Sequence, residues 1–169
     1  ERDAIYKDLL AEADKISKRR KAQAIEVENS LIEQLAALGM PNCEVKFQID
    51  AHIAPTTSGM DKVALLFSSN KNKSPQPIDK TASGGEISRV MLSLKYLLAQ
   101  SSSLPTLIFD EIDTGISGEA ADLTAKMLKK MSANVQIISI SHLPQIAAKA
   151  TTHYFVEKSG ESETTVTQL

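Results

Sequence analysis

Three side chains suited to acid–base or metal chemistry stand at the ends of two short apolar runs. The run PTLIFDE closes with two carboxylates, Asp110 and Glu111, and the run VQIISIS leads directly to His142. One carboxylate can hold Mg²⁺, a hard cation that prefers oxygen ligands, and the other can orient or deprotonate an attacking water. A nearby histidine can hydrogen-bond a phosphate oxygen. Together these residue types suit hydrolysis of a nucleoside triphosphate.

A second polar group stands at the start of a strong helical pattern, in the stretch TASGGEISRVMLSLKYLL. Ser83 and Glu86 have the spacing of a capping box, in which each side chain satisfies a free backbone N–H. A capping box does not require Gly84 and Gly85 between its two members. Positions without side chains at a helix N-terminus let an anion approach the exposed amides, where the helix dipole favours negative charge. We therefore expect phosphate to bind here, with ordinary helix capping as the alternative.

A strand–helix–strand unit is expected to bring the acids and the histidine together. The two apolar runs flank GEAADLTAKMLKKM, whose apolar residues recur at helical spacing. Such a unit of about thirty residues has parallel strands that are buried on both faces. Ligands bind at the carboxyl ends of parallel strands, so Asp110, Glu111 and His142 should share one edge. Taken singly, an acidic pair after a strand can equally be a helix cap, and a lone histidine is more often structural.

The first part of the chain predicts one long helix and an antiparallel pair. Residues 1–38 contain neither glycine nor proline, and Gly39 and Pro41 should end the helix. Its apolar stripes are compatible with a coiled coil but do not give three clean heptads. The runs CEVKFQIDA and DKVALLFSSN predict two strands, with HIAPTTSGM as the loop between them. Residues 70–80 carry two prolines and predict a mobile surface loop.

The last part of the chain predicts smaller elements. The stretch PQIAAKA should form a short helix, and THYFVEK and TTVTQL should be closing strands around a turn at Gly160. No internal repeat is evident.

Composition excludes several classes of protein. The 169 residues are 42% hydrophobic, enough for one compact domain, and the net charge of −2 gives no general attraction to nucleic acid. The basic cluster KISKRRK is most simply a solvated helical face. The single cysteine, Cys43, cannot form an internal disulfide, which fits a reducing compartment. No apolar run reaches the roughly 18 residues of a membrane span. The first residue is not methionine and lies inside a helical pattern, so we expect a piece of a longer protein.

One part of the expected site is missing. Nucleoside triphosphate hydrolysis normally uses a loop of the form G-x-x-x-x-G-K-S/T to cradle the phosphates. The dipeptide Gly-Lys does not occur in this sequence. Either the site is incomplete in this chain, or the assignment is wrong.

Three motifs in series resemble those of ABC-type ATPases. SGGE, residues 83–86, resembles their signature motif, which usually ends in glutamine; TLIFDE resembles their Walker B strand and ISISH their switch-histidine strand. From Gly59 to Val156 the sequence most resembles the SMC-like group of these ATPases, and within it a branch that acts in bacterial DNA repair. The resemblance implies an α/β fold: the carboxyl-terminal half of a P-loop NTPase head of ABC/SMC type. It also implies a long helix from the coiled-coil arm and a small antiparallel β element.

The resemblance assigns a role to each motif residue. Asp110 would support Mg²⁺, Glu111 would be the catalytic base, and His142 would contact the γ-phosphate of ATP. The signature would bind ATP held by an opposing head. The residues expected to bind the nucleotide are Ser83, Gly84, Gly85, Glu86 and, with an undefined role, Asp113.

The same resemblance implies a division of the chain and a set of partners. Residues 1–38 would be the coiled-coil arm helix and residues 39–169 the carboxyl-terminal lobe of the head. The partners would be the amino-terminal half of the full-length chain, a second head in an ATP-dependent homodimer, and DNA, with no membrane. The complete protein would hydrolyse ATP in recombinational repair of DNA double-strand breaks, in the bacterial cytoplasm at the nucleoid. This chain alone, without the phosphate loop, should be inactive.

Two other functions fit parts of the pattern. The chain could be a non-catalytic scaffold that binds DNA or protein and keeps a vestigial ATP site, although retention of both Asp110 and Glu111 argues against decay. It could also be a Mg²⁺-dependent nuclease built on DEID, residues 110–113. The nuclease alternative leaves the glycine-bearing helix and His142 unexplained.

Overall fold

The chain forms two compact units that meet in sequence between residues 102 and 103. The computed structural model describes residues 2–101, 104–116, 118–158 and 165–168. Each unit has its own secondary structure and its own buried residues, and the two are described separately below.

The first unit begins with a single long helix, α1 (Arg2–Ala37), of 36 residues. It ends in a Schellman motif: the Met40 N–H donates to the Leu35 carbonyl at 2.9 Å, and the Gly39 N–H donates to the Ala36 carbonyl at 3.1 Å. Gly39 has φ +82°, a conformation that glycine adopts without a side-chain penalty. The prediction of one helix closed by Gly39 is therefore confirmed.

An antiparallel hairpin follows, but its strands are longer than the sequence predicts. Strand β1 (Glu44–Thr56) pairs with β2 (Gly59–Ser68), so the predicted loop over residues 52–60 is wrong. Only Thr57 and Ser58 lie between the two strands. Residues 51–54 are exposed on both faces of the strand. Because neither face is buried, this segment lacks the alternation of apolar and polar residues from which a strand is predicted.

The predicted surface loop over residues 70–80 is also wrong in its second half. Strand β3 (Gln76–Pro77) pairs with β2, and the short helix α2 (Ile78–Thr81) follows it. Proline is tolerated here because β3 is an edge strand, where a missing N–H breaks no ladder. Ile78 packs against the core of this unit, which is what draws the segment inward.

The core of the first unit joins α1, the sheet and the helix α3 (Gly84–Ser101). Leu31 and Leu35 from α1 meet Phe67 from β2 and Val90 from α3, all with almost no solvent exposure. Each such buried side chain contributes about 1.5–3 kcal/mol. The start of α3, where the glycine pair lies, is thus anchored to a packed core two turns away.

The second unit is built on the predicted βαβ element. Strand β4 (Thr106–Asp110), helix α4 (Gly118–Met131) and strand β5 (Gln136–Ile140) follow one another, and β4 and β5 are parallel neighbours. The helix α5 (Pro144–Ala147) comes next, and β6 (Phe155–Lys158) pairs antiparallel with β7 (Thr165–Gln168). These predicted elements are confirmed, whereas the predicted turn residue Gly160 lies outside the described residues.

The expectation that β4 and β5 are buried on both faces is wrong. Phe109 is buried, but on the opposite face Ile108, Ile138 and Ile140 are 59%, 45% and 55% exposed. One crossover helix covers only one face of a two-stranded sheet. We call the three isoleucines the open face of the second unit. Among the described residues, no helix is both long and apolar enough to cross a membrane.

A partly buried ion pair ties α1 to the hairpin. Asp61 on β2, whose side chain is 3% exposed, accepts from Arg20 Nη1 at 3.0 Å and from the Ser17 hydroxyl at 2.7 Å. Arg20 Nη2 also donates to the Ser58 carbonyl at 2.8 Å. The hydrogen bond from Ser17 lowers the pKa of Asp61, and the ion pair with Arg20 lowers it further. Burial acts in the opposite direction but does not outweigh them.

We predict that Asp61→Asn destabilises this chain and that the loss depends on pH. A carboxyl whose pKa is lowered on folding stabilises the protein above its unfolded pKa, and the effect disappears as the pH falls through the folded pKa. The melting temperature of Asp61→Asn should therefore lie below that of the parent at neutral pH and approach it below about pH 4.

Asp14→Asn is the matched control, because it removes an exposed carboxylate that pairs with Lys18 at 2.7 Å on the same helix. Exposed pairs contribute little, so its melting temperature should be close to the parental value. Equal shifts in the two variants, or a difference that persists in acid, would show that the Asp61 pair does not stabilise the fold.

Candidate functional site

The carboxyl ends of β4 and β5 place the acidic pair and the histidine loop on one sheet edge. The two strands are in register with Asp110 opposite Ile140. The Glu111 N–H donates to the Ile140 carbonyl at 3.1 Å, which extends the ladder by one bond beyond the strands. Residues 110–113 and 141–143 therefore leave the sheet side by side.

The two carboxylates that end β4 are open to solvent. Asp110 and Glu111 are both exposed, and within the described residues neither side chain forms an ion pair or accepts a hydrogen bond. No group of three or more histidine, cysteine or acidic residues in the described ranges could hold a metal by itself. A cation at Asp110 would thus need further oxygen ligands from another source, as Mg²⁺ does when it bridges a carboxylate and substrate phosphates.

Glu111 has an unusual backbone conformation. Its φ of +47° lies in the left-handed region, which costs a residue with a side chain roughly 1–2 kcal/mol. The cost is offset locally, since its N–H bonds to Ile140 and its carbonyl accepts from the Thr114 N–H at 3.1 Å. Strain of this kind is concentrated at functional sites, where the surrounding structure fixes it.

Asp113 is the buried centre of this edge. It is 1% exposed, and its Oδ2 accepts from the Ser141 hydroxyl at 2.5 Å, the His142 N–H at 3.1 Å and the Leu143 N–H at 3.3 Å. Burial alone would raise its pKa, but the hydrogen bonds from Ser141 and the backbone, with the nearby imidazole, hold the pKa below its ordinary value. The carboxylate therefore fixes the loop after β5 from 28 residues away in sequence.

His142 lies against this carboxylate and faces solvent. Its side chain is 73% exposed, and Nδ1 lies 3.2 Å from Asp113 Oδ2. A hydrogen on Nδ1 would face this carboxylate, whereas Nε2 lies on the other side of the ring.

Sequence reasoning missed the part played by Ser141 and left that of Asp113 undefined. Both are polar and follow apolar strands, which is the only signal that the sequence offers. Their pairing depends on the register between β4 and β5, which no local pattern reveals.

The helix start at residues 83–86 lies in the first unit and is a true capping box. The Ser83 N–H donates to Glu86 Oε2 at 2.8 Å, and the Glu86 N–H donates to Ser83 Oγ at 3.4 Å. The Ser83 hydroxyl also donates to Glu86 Oε2 at 2.9 Å. Burial alone would raise the pKa of Glu86, but hydrogen bonds from Ser83 and Ser69 lower it below its ordinary value.

The glycines inside the box are not explained by capping. Gly85 is buried, whereas Gly84 is exposed, and a Cβ built on Gly84 would have no atom within 4 Å. Gly84 also does not have the positive φ that favours glycine at other turns of this chain. Neither packing nor backbone conformation within the described residues requires glycine at this position.

We predict that Gly84→Ala leaves this chain at least as stable as the parent. Alanine is favoured over glycine in a helix by up to about 1 kcal/mol, and the space around Gly84 is open. Chemical denaturation measures the free energy of unfolding. As a control, Gly59→Ala should destabilise, because Gly59 has φ +104° and its added Cβ would lie 3.4 Å from Arg20. A clear loss of stability in Gly84→Ala would mean that the glycine serves the fold.

The architecture is that of an SMC-type head. A solved chain described under ATP-driven dimerization and DNA-stimulated activation of SMC ATPases aligns with a TM-score of 0.65 at 17% identity, over 90% of this chain and 89% of its own. The Smc head domain with a coiled coil and joint from Pyrococcus yayanosii aligns with a TM-score of 0.69 at 20% identity, over 88% of this chain and 27% of its own. At these identities the likeness defines the fold.

Sequence relatives then specify the protein within this class. The DNA repair protein RecN of Rickettsia typhi is 44% identical over 155 residues, 91% of this chain and 28% of its own length. RecN of Vibrio cholerae is 37% identical over 170 residues, 99% of this chain and 30% of its own length. The chain belongs to the RecN family and corresponds to its carboxyl-terminal part. It spans less than a third of the length of these curated relatives. No protein-family model matches the chain.

Proposed function

We propose that this chain is the carboxyl-terminal half of an SMC-like ATPase head that acts in recombinational repair of DNA double-strand breaks. It would supply the signature motif, the Walker B carboxylates and the switch histidine of a composite ATP site. It would act in the bacterial cytoplasm, at the nucleoid. The observation that carries the proposal is the register of β4 and β5, which puts Asp110, Glu111 and the His142 loop at one edge.

The residues at this edge fit ATP with Mg²⁺. Asp110 is exposed and unpaired within the described residues, so its carboxylate is free to hold the cation, which would neutralise charge on the phosphates when bound. Glu111 is held one residue further on in a fixed left-handed conformation, where its carboxylate would take a proton from the attacking water. His142 would donate a hydrogen bond from Nε2 to the γ-phosphate when both ring nitrogens carry a hydrogen, with Nδ1 facing Asp113. Among the described residues, the Asp110 and Glu111 side chains have no other polar partner, and the ring of His142 meets Asp113 through Nδ1.

The phosphate cradle would come from elsewhere in the complete protein. This sequence has no Gly-Lys dipeptide, and the chain spans less than a third of the length of its relatives. The open face of the second unit supports a partner from the amino-terminal half, because Ile108, Ile138 and Ile140 are apolar and exposed on a parallel sheet, and sheets of this kind are usually covered on both faces. Alone, the chain would hold no phosphate loop and would not turn over ATP.

The signature would act on ATP bound by a second head. Ser83 and Glu86 already satisfy each other, and Gly84 leaves the helix start open to an approaching anion. A γ-phosphate presented there would gain charge-assisted hydrogen bonds from backbone amides, and the Ser83 hydroxyl would join them by giving up its bond to Glu86 Oε2. Two heads would thus close around ATP. Complete proteins of this kind would couple that closure to DNA.

A scaffold with a vestigial ATP site is the alternative function. The capping box favours this alternative, because helix capping accounts for Ser83 and Glu86 without any ligand. It does not explain the strained Glu111 or the open Gly84.

We predict that Glu111→Gln in the complete protein retains ATP binding and loses ATP turnover. Glutamine preserves the size of the side chain but cannot take a proton, so the ground-state contacts persist and the chemical step is lost. Steady-state hydrolysis should fall by about 10² or more, the usual contribution of a general base. ATP should then keep the heads associated in sedimentation.

Glu119→Gln is the matched control, because Glu119 is an exposed glutamate in the first turn of α4 and has no role in the proposed site. It should hydrolyse ATP at the parental rate. If Glu111→Gln does the same, Glu111 is not the base and the proposed function loses its main support.

We predict that the signature acts across a dimer interface. Ser83→Arg should place a bulky cation at the helix start and block the opposing γ-phosphate without affecting nucleotide binding on its own head. The second variant carries a disabled phosphate-loop lysine in the amino-terminal half of the complete protein. Each variant should be inactive alone, and mixing them should restore part of the ATPase activity, since one of the two composite sites then carries neither lesion.

Formation of mixed dimers is verified by pull-down with two affinity tags. No recovery in verified mixed dimers would contradict action in trans by independently firing sites. Parental ATPase activity in Ser83→Arg alone would remove the signature assignment.

A further inference from the structure

The buried Asp113 has no defined role in the proposed site, yet its Oδ2 accepts three hydrogen bonds from the loop after β5. Three donors converge on one carboxylate oxygen, Oδ2: the Ser141 hydroxyl and the backbone amides of His142 and Leu143, and the imidazole Nδ1 of His142 lies 3.2 Å from the same atom. The other oxygen, Oδ1, is buried and has no hydrogen-bond partner among the described residues. The carboxylate is therefore directed at the loop 141–143.

We propose that Asp113 is a positioning residue that fixes the tautomer and the orientation of His142, rather than a residue that contacts the nucleotide. The inference rests on the proposed function for what His142 does, but not for how His142 is held. Asp113 would act on the loop and on the ring at the same time, from a place that solvent does not reach.

Hydrogen bonds to the backbone fix the position from which the His142 side chain extends. The His142 and Leu143 amides both bond to Oδ2, and the Leu143 amide also bonds to the Ser141 hydroxyl at 3.1 Å. The Cα of His142 is thus held relative to the end of β4, which carries Asp110 and Glu111. Without the carboxylate, the Ser141 hydroxyl and the His142 amide would lose this acceptor, and the Leu143 amide would keep only its bond to Ser141.

The contact with the ring fixes which nitrogen carries the proton. With Nδ1 3.2 Å from Oδ2, the neutral ring would keep its hydrogen on Nδ1, facing the carboxylate, and Nε2 would carry the lone pair. A hydrogen bond from Nε2 to a phosphate oxygen would then need a second hydrogen on the ring, and the adjacent carboxylate would balance the resulting charge. The same carboxylate–histidine pairing orients imidazoles in metal and nucleophilic sites.

An aspartate suits this position better than a neutral residue. The charge strengthens each of the hydrogen bonds it accepts, which accounts for a buried carboxylate whose pKa is nevertheless lowered. Asparagine could keep the acceptor but not the charge, and it would place an NH₂ group where Oδ1 now lies without a donor. Asp113→Asn should therefore lie between the parent and Asp113→Ala in every measurement below.

The first experiment reads the tautomer without ATP. Histidine ¹⁵N chemical shifts are recorded on the complete protein at alkaline pH, where imidazoles are neutral, and the signal of His142 is assigned by its loss in His142→Gln. The parent should show the Nδ1–H form, and Asp113→Ala should shift the ring to the Nε2–H form that solvent favours. A parental ring already in the Nε2–H form would overturn the proposal, whether or not any variant folds.

The second experiment reads the coupling between the two residues. In the complete protein, Asp113→Ala should lower kcat about ten- to a hundredfold with little change in KM for ATP, the scale on which outer partners of functional histidines act. His142→Ala should also lower kcat, and adding Asp113→Ala to it should cause no further loss. Additive losses in this cycle would mean that Asp113 acts on the fold or on the nucleotide, not through His142.

Asp122→Asn is the matched control, since Asp122 is a less buried carboxylate of the same unit that pairs with Lys126 at 2.8 Å and Lys149 at 2.9 Å. It should leave both the tautomer and kcat unchanged. If the parent hydrolyses no ATP, the proposed function fails while the tautomer measurement still decides the role of Asp113.

Discussion

The parallel pairing of β4 and β5 is the constraint on which the candidate site depends. It sets Asp110 opposite Ile140 and lets the ladder continue through Glu111, so two segments almost thirty residues apart in sequence end at the same place. The buried Asp113 then converts this proximity into fixed geometry, because its Oδ2 is the common acceptor for the next loop. Without the register, neither the strained Glu111 nor the orientation of His142 would have a structural cause.

Two aspartates at the edge of the β4–β5 sheet differ in burial and in the number of hydrogen bonds they accept. Asp113 is a carboxylate with almost no exposure and several donors, whereas Asp110 is exposed and unpaired within the described residues. A paired buried carboxylate holds structure, and an unpaired exposed one is free to take a cation or a proton. The two aspartates at this edge are therefore suited to different roles because they differ in burial, although they are the same type of residue.

Polar contacts in the first unit hold the long helix to the hairpin. The contacts of Asp61 with Arg20 and Ser17 join residues more than forty apart in sequence, and the Phe47 N–H donates to Glu28 Oε1 at 2.6 Å between the same helix and β1. Removing one partner of such a pair destabilises the fold, because the other charge is left without compensation. These polar contacts add to the apolar packing of Leu31 and Leu35 in the core of this unit.

Sequence by itself predicted most of the elements and nominated the candidate site residues. The spacing of apolar residues predicted α3 and the βαβ unit, because these elements bury one face, and Gly39 marked the end of α1. The motifs named the carboxylates, the histidine and the glycine pair. The hairpin tip and β3 escaped prediction because exposed strands show no alternation, and an edge proline resembles a loop signal. Only the tertiary structure decided that Asp113 is an acceptor for Ser141 and His142 and that one face of the β4–β5 sheet is open. Both depend on which residues face each other across strands, and that register is set by long-range packing rather than by neighbours in the chain.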